Sequence, residues 1–528
     1  MGRVFFAAII VGGLVLSSIC FGYSGGSGTA EEPYQIANKE DLLALAGTTT
    51  DYNKCFILTA DIDLDPNLPS GRVFTTAIIG AANFTGTFDG DGHKITNFII
   101  NGRYYLGLFG RINAGGAVKN LGLENFTVSG SSGDVGGLAG YNYYGSISNC
   151  YSTGTVSGDG DYIGGLVGYN DYGSISDCYS TGAVSGSSGS SYVGGLVGDN
   201  HYSSISNCYS TGAVSSFYYV GGLVGYNDRG SISDCYSTGA VSSDNRVGGL
   251  VGYNYIGSIS NCYSTGAVSG SQDVGGLVGE NHGANISNCY STGSVIGTSY
   301  VGGLVGYNGS GSISDCYSTG AVSGTFDVGG LVGCNSFYGS ISDCYSTGAV
   351  SGNTNVGGLM GYNDRGSINN CYFLATSGPD NGYGEPLTDE QMKQQASFTG
   401  WDFTTIWAIC EGTNYPRLRW QIPLTGDFVC PDGVDFDDFA VFANQWLLKK
   451  LPADVAPGGG DGIVNFIDYA VFADGWQSVN DMNDLADFTS QWLKPSAYCA
   501  DIAPAPSGDG VVNMLDLAIF AQHWLEGL

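Results

Sequence analysis

The sequence predicts a mainly β fold: a parallel β-solenoid (β-helix) of about ten 27-residue coils, followed by a small α-helical C-terminal domain. Two observations carry the solenoid. First, the string Val/Ile-Gly-Gly-Leu-x-Gly begins at Val135, Ile163, Val193, Val220, Val247, Val274, Val301, Val328 and Val356, in steps of 27 to 30 residues, with a degenerate copy at Leu106. Such a period marks stacked repeats rather than separate domains. Second, each unit holds short β-prone stretches (GGLVGYN, SISDCYS, TGAVS) separated by Gly, Ser and Asn, without helical periodicity. Coils of this kind pair in parallel at ~4.8 Å spacing.

Composition narrows the class. The 88 glycines among 528 residues do not recur every third position, which excludes collagen. Apolar residues at 43% and aromatics at 12% exclude a disordered chain. With 17 Lys and Arg against 48 Asp and Glu, the net charge of −31 opposes nucleic acid and anionic membranes as partners.

In chain order, residues 1–22 read as a secretory signal peptide: Arg3, an apolar run over 4–19, then small residues. The run is shorter than a spanning helix and no later stretch matches it, so the expectation is a secreted or cell-surface protein without a transmembrane span. Residues 23–110 are expected to form a β-rich cap and the first coils, 111–377 the repeat solenoid, 378–426 a C-terminal cap and linker, and 427–528 the helical domain.

Invariant positions within the units are expected to point inward. They include the Leu of the GGL string (Leu138, Leu166, Leu196), the Ile of SIS (Ile147, Ile175, Ile205) and the Cys three residues later. The position three after Leu is Tyr in six units but Asp199, Glu280 and Cys334 in others; a slot that accepts carboxylates is expected to face water. The next residue is Asn in all nine units, from Asn142 to Asn363, and suits a ladder that satisfies backbone groups at a corner. The nine column cysteines (150, 178, 208, 235, 262, 289, 316, 344 and 371) read as small buried hydrophobes, because one column at coil spacing lacks the convergent ligands of a metal site. Parallel Cβ vectors disfavour disulfides along the column, and Cys430 and Cys499 are the favoured bonded pair.

Variation concentrates at two edges, one ahead of the valine strand and one after the Asn column, as at Tyr172, Tyr202, Arg229 and Tyr338. Exposed tyrosines there could stack on sugars in weak, multivalent contacts; plain solvated turns are the alternative. The unit resembles the GLUG motif of bacterial surface and secreted proteins across residues 135–372, and the segments 28–43, 84–95 and 400–416 are similar to the flanks of such arrays. That resemblance implies a parallel β-solenoid in adhesin-like proteins and implies no reaction.

After Gly426 the chain becomes acidic, with Trp-containing helical pieces over 435–447, 465–476, 484–493 and 513–525. Tyr469, Phe472, Ala473 and Trp476 fall on one helical face. Asp461-Gly462 with Asn465 and Asp468, and Asp509-Gly510 with Asn513 and Asp516, read as the second halves of calcium loops. Gly- and Pro-rich stretches replace the acidic first halves, leaving Asp454 and Asp501 as displaced first ligands. Helix-capping aspartates are the simpler alternative. The segment resembles a dockerin, which implies Ca2+ in these loops and a cohesin-like receptor or other cell-surface component as partner.

A catalytic site is not expected. Asp315 and Asp343 would neighbour each other in adjacent coils, but their slot alternates between Asn and Asp. Arg229, Arg246 and Arg365 stand in variable turns, and Asp89, Asp91 and His93 read as a turn. The competing class is a dockerin-bearing carbohydrate-active β-helix enzyme, a polysaccharide lyase or hydrolase.

Overall fold

The computed structural model describes residues 22–187 and 189–421, which divide into two compact units, one ending at Phe217 and one beginning at Tyr218. Both units are built of parallel β-solenoid coils, about 11 turns in all. The expected signal peptide (1–22) and helical domain (427–528) lie outside the described residues, apart from residue 22 itself. Among the described residues no helix is long and apolar enough to cross a membrane.

In the first unit a typical coil runs through Thr155–Gly158, Ile163–Gly164, Val167–Asp171, Ser174–Ser176 and Tyr179–Ser180. Each strand pairs in parallel and in register with its counterpart one coil away: Val128 on Val156, Ala139 on Val167, Ile147 on Ile175, Tyr151 on Tyr179. Identical side chains therefore superpose, and the Leu, Ile, Val and Cys columns fill the interior with at most 1% of their surface exposed. Earlier turns hold larger residues, Phe56, Phe84, Phe88 and Phe109, packed ring against ring. Helix Lys39–Gly47 contributes buried Leu42 and Leu45 to this end. Its N-cap Asn38 accepts the Asp41 amide, as a helix start requires.

The second unit repeats the pattern, with Tyr226 on Tyr253, Ile232 on Ile259 and Tyr236 on Tyr263. Its last coil is closed by strand Glu385–Leu387, parallel to Tyr372–Leu374, and by Asn381, whose amide donates to the Met360 carbonyl at 2.8 Å. The chain then doubles back along the tyrosine column. Trp401 lies against Tyr372 and Tyr345, Trp407 against Tyr345 and Tyr317, and Trp420 against Tyr290 and Tyr263. Tyr345 donates to the Pro416 carbonyl (2.7 Å) and Trp420 Nε1 to that of Asn288 (3.0 Å).

Two conformational demands explain the repeat's composition. The Val-Gly-Gly-Leu string folds strand Asn245–Gly248 onto strand Val251–Tyr255 so closely that a methyl at Gly248 would strike the Val251 carbonyl oxygen. The slot before each column Cys is left-handed, with φ of 53° at Asn149, 54° at Asp177 and 51° at Asn207. Asn and Asp tolerate that region best among residues with side chains, which explains why this slot alternates between the two. Gly248→Ala is expected to lower unfolding free energy by about 1–3 kcal/mol or more through overpacking. Gly47→Ala, where an added methyl meets nothing within 4 Å, should stay within about 0.5 kcal/mol of wild type; urea titration of both variants measures the difference.

Candidate functional site

The Asn column is structural. Asn142 Nδ2 donates to Asn170 Oδ1 (2.7 Å) and to the Gly145 carbonyl (3.1 Å). In the second unit the same donation runs from Asn227 through Asn254, Asn281, Asn308 and Asn335 to Asn363 at 2.8–3.0 Å. The amides from Asn142 to Asn335 are fully buried, and Asn142, Asn227, Asn281, Asn308 and Asn335 each spend one hydrogen on the ladder and one on the turn.

The nine column cysteines are buried thiols rather than disulfides. Each thiol hydrogen-bonds the carbonyl two residues earlier, as Cys178 does with Ser176 at 3.0 Å, and Cys178 Sγ accepts the amide of Cys150. Burial holds the thiols of Cys178, Cys262 and Cys344 well above their ordinary range, so they stay protonated. Among the described residues no three or more His, Cys, Asp or Glu converge as metal ligands.

The slot three after Leu departs from expectation where it holds a residue other than Tyr; its tyrosines are partly exposed, up to 42% at Tyr362. Asp199, Glu280 and Cys334 are only 5%, 7% and 3% exposed. The residue ahead of each valine adopts positive φ and packs over this slot, as Tyr162 does on Tyr169 at 4.9 Å. Cys334 was the available clue, since Cys is among the most buried residue types. In the second unit Arg246 lies over the rings of Tyr219 and Tyr253 (5.0 and 5.6 Å), is ion-paired with Glu280, and stands 3.9 Å from Asp273. Asp273 is 4% exposed; burial, helped by the Glu280 charge and opposed by Arg246, pushes its carboxyl up to about 7.

The edge after the Asn column carries stacked aromatics in the first unit. Tyr144, Tyr172 and Tyr202 lie at centroid separations of 4.8 and 5.1 Å, with ring planes within 3° of parallel. They are 48%, 42% and 41% exposed, and their φ values of 56°, 52° and 47° are unusual for bulky residues. Within the stack the ring faces cover one another, so a ligand would meet ring edges and phenol hydroxyls rather than an open face. Beside them the Asp171 carboxylate accepts from Tyr141 Oη (2.8 Å) and holds His201 Nδ1 at 2.7 Å.

The remaining sequence candidates are dispersed. Asp89 pairs with Lys119 and accepts from Asn120, whereas His93 turns to Asp61; Asp91 occupies the turn between them at φ 48°. Arg229 and Arg365 lie beside Asp228 and Asp364. Asp315 and Asp343 do stand one coil apart; burial raises the Asp315 carboxyl, and the Asp343 charge adds to that shift. Asp454, Asp461, Asn465, Asp468, Asp501, Asp509, Asn513 and Asp516 lie outside the described residues, as do Cys430 and Cys499.

This geometry defines a repeat β-solenoid. Eight segments match the family described as the GLUG motif: residues 131–157, 159–185, 189–215, 218–242, 243–269, 270–296, 297–323 and 324–351. The chain is 38% identical over 139 residues to halomucin of Haloquadratum walsbyi, covering 25% of this chain and 2% of that protein. It is 39% identical over 133 residues to a Gly-rich membrane protein of Evansella cellulosilytica, covering 24% and 15% respectively. The chain thus spans only a small part of the length of these relatives. Among solved structures, an immunoglobulin A1 protease from Bacteroides ovatus aligns at 20% identity and TM-score 0.32, over 75% of this chain and 95% of that one. Another, described as IgA1 protease, aligns at 19% identity and TM-score 0.34, over 48% and 21%.

The buried carboxyl generates a test with a definite sign. Asp273 ionises more readily in the unfolded chain, so the folded state binds the extra proton between about pH 4 and pH 7. Stability should fall as pH rises through that window and level off above it. Asp273→Asn should flatten this slope and gain on the order of a few kcal/mol at pH 8 relative to wild type. Urea titrations at pH 5 and pH 8 measure both effects.

Proposed function

We propose that this chain is a non-enzymatic, secreted or cell-surface scaffold. Its solenoid edges bind glycan or protein through many weak contacts, and residues 427–528 attach it to an extracellular assembly as a dockerin-like, calcium-loaded module. The observation that carries the reading is the half-exposed tyrosine row at Tyr144, Tyr172 and Tyr202, which offers the same polar edge at three successive coils. Repetition of one weak contact at fixed spacing is what multivalent binding uses. The net charge of −31 favours neutral over acidic polysaccharides.

Asp315 and Asp343 favour a second reading, a polysaccharide lyase or hydrolase. Two adjacent carboxyls of which one is raised form an acid–base pair in chemical terms. A panel of neutral and acidic polysaccharides separates the two. The scaffold reading expects co-sedimentation with a neutral polysaccharide, weakened several-fold by Tyr172→Ala, and no new reducing ends or unsaturated products. Product release abolished by Asp315→Asn would establish the enzyme instead.

Attachment has its own measurement. Calorimetry of the full chain with calcium should give heat that is lost in an Asp461→Ala, Asp509→Ala double variant. No heat up to millimolar ion, the range of weak extracellular sites, would remove the calcium-loaded module.

A further inference from the structure

We propose that Tyr144, Tyr172 and Tyr202 form an oxidative cross-linking site, at which neighbouring coils become joined by dityrosine bonds. The inference is independent of any ligand at this edge. Backbone pairing fixes the three phenols: Tyr144 N donates to the Asp171 carbonyl and Tyr172 N to that of His201, both at 3.0 Å. The rings are thereby held at 4.8 and 5.1 Å with parallel planes. Other tyrosine stacks in the first unit match this spacing, such as Tyr151 on Tyr179 at 5.0 Å. Those tyrosines are less exposed, whereas each residue of the trio has 41–48% of its surface exposed.

Their backbone adds a second observation. All three adopt the left-handed region, at a cost on the order of 1–3 kcal/mol each for a non-glycine residue. Gly283 shows that the corresponding edge position also accepts glycine, at φ 59°. Three successive bulky phenols at strained positions are more than a turn requires.

The chemistry balances with hydrogen peroxide and a peroxidase as the oxidising pair. Each of two adjacent phenols gives up one electron and one proton, and the two phenoxyl radicals join through their ortho carbons. One carbon–carbon bond forms, two ring C–H bonds are lost as the rings regain aromaticity, and the phenol O–H bonds are restored. The peroxide takes up two electrons and two protons and leaves as two waters. Holding the partners in contact makes coupling within one chain outrun coupling between chains.

The test uses the full chain, dilute, with peroxidase and hydrogen peroxide, followed by cleavage ahead of aspartates and mass spectrometry. Asp159, Asp161, Asp171, Asp177 and Asp199 place the three tyrosines on separate peptides, and residues 171–176 contain Tyr172 as their sole tyrosine. The expected result is this peptide joined to the one bearing Tyr144 or Tyr202, two hydrogens lighter than the sum, with dityrosine fluorescence. Tyr172→Phe, which keeps the ring and the stack, should abolish that product and remove most of the fluorescence. Dityrosine undiminished in Tyr172→Phe, cross-links mainly between chains, or no linkage at residues 171–176 would each overturn the proposal.

Discussion

Parallel pairing in register is the constraint on which this molecule rests. It places every side chain about one strand spacing from its own counterpart, so a residue is acceptable only if it tolerates a copy of itself as neighbour. Leu, Ile and Val meet this by packing. Asn meets it because one amide carries both donor and acceptor, giving the 2.7–3.0 Å ladder. Tyr meets it by stacking, and Cys by binding its neighbour's backbone. Most ionised side chains fail the test and so appear singly or beside an opposite charge. Arg246 precedes Asp273 by one unit in the same column, and Asp171 precedes His201.

That rule made much of the fold legible in the sequence. The inward Leu, Ile and Cys columns and the Asn ladder followed from invariance alone. The water-facing assignment of the slot holding Asp199 and Glu280 failed, because burial there is imposed from outside the strand. A positive-φ residue several positions earlier folds over it, and nothing in the local pattern announces that turn. Asn/Asp alternation before the cysteines was visible as interchangeability, but its cause, a left-handed backbone, emerged only from the dihedral angles.

The tyrosine edge shows the same division. Its exposure was readable from its variability. The mutual covering of ring faces was not, since it depends on side-chain direction at strained backbone positions. The return of the chain over the tyrosine column was equally hidden. Trp401, Trp407 and Trp420 carry no periodic signal, and their partners lie up to 157 positions away, between Tyr263 and Trp420.

The returning segment has a mechanical consequence. Tension applied beyond Gln421 enters the second unit at the indole of Trp420, lodged against Asn288 and Tyr290, well before it reaches the closing strand at Leu387. The ring contacts of the returning segment must therefore give way before the load reaches the final coil.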